Sequence, residues 1–288
     1  MTESHSPAAT SSEAPLAGRV ALVTGGGRGQ GRSHALALAA AGTAVVVCDA
    51  PEPMHSLSYP LATGADIDET VRLVEGAGGT CIGVRADVRR PDDVARAVTI
   101  ALDAFGRLDI LLANAGIAGH SKLWDVTDEA WAEMVDTNLT GVFHCLRAVI
   151  PTMRSQQFGR IVVTASMAAR MGIPNIAHYA ATKWGVIGMA KSLALEVARE
   201  GITVNVVCPC TVATDMVLNE TTFRLFAPDL EHPTPDDIEA RFRAPNPVPA
   251  PWIQPADVTR AVMYLVTDPG VLTGTVLEVS LGSSARLG

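Results

Sequence analysis

Arg19-Val-Ala-Leu-Val-Thr24 runs directly into Gly25-Gly-Gly-Arg-Gly-Gln-Gly31, and an Ala/Leu-rich stretch follows to Ala41. The first six residues suit a buried strand and the last stretch is rich in helix formers. Strand, glycine turn and helix in that order are the context a phosphate-binding turn requires. Small residues at Gly25, Gly29 and Gly31 let the backbone approach a pyrophosphate and let the helix pack on the strand. The next apolar run, Thr43 to Cys48, ends at Asp49, eighteen residues past Gly31. A carboxylate there is placed to accept hydrogen bonds from a ribose 2′-OH and would repel a 2′-phosphate. Ala50-Pro51 supplies no compensating base, so the pattern favours NAD over NADP. Arg28, inside the turn, is the one cation near such a phosphate, and it can equally serve the adenosine side or the pyrophosphate.

A second constellation lies in the other half of the chain. Tyr179 and Lys183 are four residues apart in His178-Tyr-Ala-Ala-Thr-Lys183, and Ser166 stands thirteen residues upstream at the end of an apolar run. On a helix, positions i and i+4 share a face, so the Lys183 ammonium can lie beside the Tyr179 phenol. A nearby cation favours phenolate, and a tuned phenol can exchange a proton with an alcohol or ketone oxygen.

Between these ends the sequence alternates strand and helix. Strands are predicted near 19–24, 44–49, 81–87, 110–113, 160–164, 203–207 and 275–279, and helices near 29–41, 66–77, 91–105, 128–138, 141–155, 177–200 and 255–267. Such alternation gives right-handed crossovers and an α/β fold: a single-domain Rossmann-type doubly wound parallel sheet of about seven strands, with helices on both faces. The exception is the proline-rich segment 215–252, carrying Phe223, Phe226, Phe242 and Trp252. It reads as a substrate lid, its aromatics serving either a dimer contact or the lid's own small core.

In this order and spacing the motifs resemble those of the short-chain dehydrogenase/reductase family, from about Gly18 to Gly282. Thr24-Gly25-x-x-x-Gly29-x-Gly31 looks like its cofactor motif, Ala86-Asp87-Val88 like its adenine-contacting segment, and Asn114-Ala115-Gly116 like the turn ending its fourth strand. Asn138, Ser166, Tyr179 and Lys183 fill the positions of its catalytic tetrad. The resemblance implies that Tyr179 is the acid/base and Ser166 holds the substrate oxygen. It further implies that Lys183 tunes Tyr179 and binds the nicotinamide ribose, while Asn138 holds a water linking Lys183 to solvent. Pro209, Thr211, Val212 and Thr214 match its nicotinamide contacts, with one departure: Cys210 stands where the family usually has glycine.

A narrower resemblance sits inside the broad one. The stretch Ala50-Pro-Glu-Pro-Met-His-Ser-Leu-Ser-Tyr-Pro-Leu-Ala-Thr-Gly64 lengthens a connection that most members cross in a few residues. With Gly29-Gln30-Gly-Arg-Ser-His34 and Phe223-Arg-Leu-Phe-Ala-Pro-Asp229, it resembles the mycofactocin-associated, carveol-dehydrogenase-like branch. That resemblance implies an insertion at 50–65 folded over a non-exchanging NAD, with an external carrier such as mycofactocin as electron acceptor. It also implies a homotetramer, built on the helices near 128–155 and 177–200 and on the C-terminal stretch from 275. Apolar positions such as Val142, Leu146, Val186 and Met189 would otherwise face water on at least one side, although some of them pack on the sheet.

Composition fits an enzyme acting on a small molecule. The chain has 288 residues, 48% of them hydrophobic, and a net charge of -8. That charge argues against nucleic acid or an anionic membrane as partner, and no apolar run reaches the length of a transmembrane span. Residues 1–17, rich in Ser, Ala and Thr without a hydrophobic core, read as a disordered lead-in to a domain spanning 18–288. Five cysteines without paired C-x-x-C spacing read as reduced thiols of a cytoplasmic protein. The histidines show no ligand spacing, and no metal site is expected. Three functions stand for comparison: an alcohol/ketone oxidoreductase that retains NAD, an ordinary steroid- or acyl-type dehydrogenase with exchanging NAD, and a dinucleotide-sensing regulator. The intact tetrad speaks against the third, and the insertion favours the first.

Overall fold

The computed structural model describes residues 14–54 and 56–287. Seven parallel strands form one sheet in the order β3-β2-β1-β4-β5-β6-β7. They are β1 (Val20–Thr24), β2 (Ala44–Asp49), β3 (Cys81–Arg85), β4 (Ile110–Ala113), β5 (Gly159–Thr164), β6 (Ile202–Pro209) and β7 (Val276–Val279). Every residue of β1, β4, β5 and β6 is buried, which is why these strands are mostly apolar, with Arg160, Thr203 and Asn205 among the buried polar exceptions within β5 and β6. Leu22, Leu111, Ile161 and Val204 face one layer, formed by α3 (Pro91–Phe105), α5 (Gly141–Gln156) and α6 (Ala177–Val197). Val23, Ile110 and Val162 face the other, formed by α1 (Gly29–Ala40), α2 (Gly64–Gly76) and α9 (Pro255–Val266). The chain leaves β1 for β2 on one side and reaches β4 on the other, so a crevice opens beyond the C-terminal ends of β1 and β4. In open sheets of this kind, ligands bind at that switch.

Three departures from the sequence reading have local causes. Residues 1–13 of the expected lead-in lie outside the described residues, but Ala14–Ala17 belongs to the fold. There Leu16 is buried under α1, and its N–H donates to the Ala41 carbonyl at 3.0 Å. The helix expected to end at Asn138 is instead α4 (Asp128–Val135), followed by a π-helical turn over Asp136–Thr140 that leads unbroken into α5. Such widened turns often mark functional positions, and this one carries Asn138. Finally, α2 begins at Gly64, two residues early. Thr63 and Asp66 form a reciprocal capping box, with Thr63 N–H donating to the Asp66 carboxylate at 2.7 Å.

The 215–252 segment folds into α7 (Glu220–Phe226) and α8 (Pro235–Arg243). Phe223, Ala227 and Ile238 are buried together, with Leu218 and Phe242 against them. The Phe226 and Phe242 rings lie 4.4 Å apart, so these aromatics pack within the segment itself while Phe226 stays partly exposed. His120, from the loop after β4, meets Phe226 edge-on with ring centroids 6.5 Å apart.

Candidate active site

The glycine turn is shaped by steric need. Gly25 has φ +65, and a Cβ there would lie 2.8 Å from the Ala115 Cα, so side chains are excluded on both counts. A Cβ on Gly31 would lie 2.0 Å from the Gly25 carbonyl oxygen. Gly31→Ala must therefore push the turn off the strand. We expect a loss of about 3 kcal/mol in denaturant unfolding together with loss of dinucleotide binding. The first turn of α1 has no side-chain cap, leaving backbone N–H groups free for an anion.

A cleft of about 380 Å³ opens above this turn. It gathers Gly25, Arg28, Gly29, Gln30, Asp49, Asp87, Val88, Asn114, Ala115, Gly116 and Thr214, all named by the motifs. Gly31 stays beneath the turn. Pro209, Thr211 and Val212 do not line the cleft but hold the end of β6: Ile253 N–H donates to the Thr211 carbonyl at 2.9 Å, and Val212 pairs with Ile253. Cys210 N–H donates to Val279 at 2.9 Å. Its φ is not among the left-handed ones, so cysteine replaces the usual glycine without strain. The buried Oε1 of Gln30 has no protein partner. An uncapped helix end and an orphaned polar atom facing one cleft are what a polar, anionic ligand would satisfy.

Asp49 accepts from Gly27 N–H and Ala50 N–H, each at 3.0 Å. Burial raises its pKa, and these two hydrogen bonds pull it back. The Asp87 carboxylate is paired with Arg89 at 2.6 Å. Arg28 donates to Asp215 at 2.8 Å and to the Pro60 carbonyl. It thus joins the 50–64 stretch to Asp215 at the start of the 215–252 segment. The insertion is held further by Arg90–Glu52 at 2.9 Å, by Ser56 with Glu133, and by Met54 packed against Ile117 and Met134.

Of the tetrad, Asn138 and Lys183 approach Gly116, and none of Asn138, Ser166, Tyr179 and Lys183 is among the residues lining the cleft. Ser166 caps a one-turn helix, accepting from Ala168 N–H at 3.1 Å, and its side chain lies close enough to the Tyr179 phenol to lower its pKa. Lys183 Nζ donates to the Thr164 carbonyl at 2.9 Å and stands 5.6 Å from the Tyr179 ring centre. Burial brings the Lys183 pKa down to about 8. Burial also raises the Tyr179 phenol, offset in part by Ser166. The expected downward tuning by Lys183 is therefore not produced by the protein groups alone, because desolvation is the larger effect. Asn138 is fully buried, and its carboxamide clamps Ile117, accepting from its N–H and donating to its carbonyl, both at 2.8 Å. That side chain fixes the Gly116–Ile117 turn.

The arrangement of a phosphate-ready turn, a ribose-height carboxylate and a Ser/Tyr/Lys cluster at one sheet switch is matched elsewhere. The profile described as short chain dehydrogenase matches residues 19–224. The chain belongs to the short-chain dehydrogenase family. A (-)-trans-carveol dehydrogenase of Rhodococcus erythropolis is 42% identical over 272 residues, covering 93% of this chain and 98% of that relative. The crystal structure of a carveol dehydrogenase from Mycobacterium avium in complex with NAD superposes with a TM-score of 0.92 at 40% identity, over 94% of this chain and 99% of that one. A 3-oxoacyl-[acyl-carrier-protein] reductase of Synechocystis is 41% identical over 239 residues, 82% of this chain and 92% of the relative. As a short-chain dehydrogenase the chain is thus similar to both terpenoid-alcohol and ketoacyl enzymes.

The motifs pointed to most of this site and missed part of it. Tyr59, Ile117, Thr137 and Met216 also line the cleft. Tyr59 comes from the insertion, where no periodicity marks it, and Thr137 is carried inward by the π turn.

Proposed function

We propose that this short-chain dehydrogenase interconverts a secondary alcohol and a ketone on an apolar, terpenoid-like substrate, using NAD that it holds without exchange. The observation that supports this reading is that the insertion, which follows Asp49 directly, puts Met54, Tyr59 and Leu61 in the lining of the cleft and is held there by Arg28, Glu133 and the packing of Met54. Bound NAD supplies the hydride acceptor and, when oxidised, a positive charge that favours phenolate at Tyr179. Tyr179 takes the substrate hydroxyl proton, while Ser166 hydrogen-bonds the same oxygen and fixes its distance from the phenol. Lys183, with one N–H spent on Thr164, has others for the ribose hydroxyls. In this reading Asn138 acts by holding the Gly116–Ile117 turn, and a water relay to Lys183 runs past it. Because the cofactor stays bound, its electrons pass to an external carrier, for which the peptide-derived mycofactocin is the candidate. With a cyclic secondary terpenoid alcohol, an artificial redox dye should support many turnovers. Rapid turnover with free NAD and none with the dye would favour the ordinary dehydrogenase instead.

Asp49 sets the cofactor. Cofactor-stripped protein should bind NAD about 100-fold (~2.8 kcal/mol) more tightly than NADP, and Asp49→Ala should close most of that gap in equilibrium titration. Binding needs the ionised carboxylate. Since burial raises the Asp49 pKa, NAD affinity should begin to fall at a higher pH on acidification than an ordinary carboxylate would give.

We place the protein in the cytoplasm as a homotetramer. Its five cysteines are free, and among the described residues no helix is long and apolar enough to cross a membrane. Of the apolar positions named on these helices, Val142, Leu146 and Val186 pack in the subunit core, and Met189 packs partly against it. The apolar groups left outward on α5 and α6 are instead Phe143, Trp184 and Leu195, at 42%, 50% and 85% exposure. Two different two-fold contacts close a tetramer. Light scattering should give four times the chain mass, and a stable monomer at micromolar concentration would contradict it.

A further inference from the structure

The insertion carries a tyrosine to which no motif gives a role. Tyr59 is buried and lines the same cleft as Gly25, Asn114, Gly116 and Thr137. Its Oη accepts the Ala118 N–H at 2.9 Å. Ala118 continues the turn that Asn138 clamps at Ile117, so this turn is held from the insertion on one side and from the π turn on the other. The contact with Ala118, one residue past the Ile117 that the tetrad's Asn138 holds, sets Tyr59 toward the tetrad side of the cleft.

A phenol has one O–H to donate and two lone pairs. One lone pair is taken by Ala118, and among the described residues the O–H meets no protein acceptor. Burial pushes the Tyr59 pKa up to about 12, so the hydroxyl keeps its hydrogen at neutral pH. The neighbouring polar groups are already committed, Arg28 to Asp215 and Pro60 and Asp49 to the turn backbone. A buried donor with no acceptor is costly unless a ligand supplies one. We propose that Tyr59 is a cofactor-binding residue contributed by the insertion, its O–H donating to a ribose or phosphate oxygen on the nicotinamide half of the dinucleotide. This rests on NAD as the occupant of the cleft. One phenolic oxygen then anchors the insertion to Ala118 and joins it to the cofactor, so that the insertion binds what it covers.

Tyr59→Phe keeps the ring and removes the hydroxyl. In cofactor-stripped protein the Kd for NAD should rise about 10- to 100-fold, and label-chase release of NAD from the holoenzyme should quicken correspondingly, with a much smaller change in the melting temperature of the stripped form. A variant that melts earlier while its Kd and release rate match the parent's would overturn the assignment and leave cofactor retention standing. If the parent itself exchanges NAD freely, retention fails, yet the Kd comparison still decides Tyr59. A second measurement does not depend on the variant folding. The chain has 3 tyrosines, so 3-fluorotyrosine labelling gives three fluorine signals. NAD should move that of Tyr59 and leave that of exposed Tyr264 in place; a Tyr59 signal unmoved by saturating NAD would refute the contact.

Discussion

Replacing Tyr179 by Phe is expected to lower turnover by about 10²- to 10⁴-fold, the usual share of a positioned acid/base, while leaving bound NAD in place. The ring keeps its partly buried seat beside Ile117 and Met134; only the hydroxyl is lost. The pH dependence gives a second signature with a fixed sign. Alcohol oxidation needs phenolate as base, so its rate should climb as pH rises toward the Tyr179 pKa. Ketone reduction needs the phenol as acid and should decline over the same range. Both dependences should vanish in the Phe variant. Single-turnover kinetics on the holoenzyme, followed by nicotinamide absorbance across pH, reads both, and near-parental turnover by the variant would remove Tyr179 from the chemistry.

Removing Glu52 to Pro60 should have the other large effect, on exchange rather than on chemistry. The deletion takes away the Glu52–Arg90 pair, the Ser56–Glu133 contact, Met54 under Ile117, and the Pro60 carbonyl that engages Arg28. Pro51, Pro53 and Pro60 fix φ along the native segment, which lowers the entropy lost in ordering it over the cofactor. Without it, NAD release should quicken by about 100-fold or more, the equivalent of ~2.8 kcal/mol, and free NAD should sustain steady-state turnover. A shortened protein that still purifies with NAD and ignores added NAD would place retention elsewhere in the cleft.

Much of this molecule was legible in its sequence because the decisive residues are close together along the chain. The glycine turn, Asp49, and the Ser166, Tyr179 and Lys183 set each lie within one strand-turn-helix unit or on one helix face, where spacing translates directly into geometry. The buried strands were readable because both faces of the sheet are covered and most of their residues are apolar. What escaped depended on distant contacts. Leu16 looks like part of a polar leader until α1 covers it. Val142, Leu146 and Val186 are apolar helix positions whose burial within the subunit or between subunits no periodicity can distinguish. The π turn at Asp136–Thr140 carries no local mark, and the commitment of Arg28 to Pro60 and Asp215 joins segments 32 and 187 residues away. Tuning of Tyr179 also failed to follow from its spacing to Lys183, because burial of both groups outweighs their proximity.

The central claim, that this short-chain dehydrogenase holds its NAD, is tested most directly by denaturing purified protein after exhaustive dialysis and measuring the nucleotide released, by mass spectrometry, against protein concentration. We expect close to one NAD per chain, with little NADP. Dialysed protein that releases no nucleotide, and that then regains full activity only when free NAD is supplied, would contradict it.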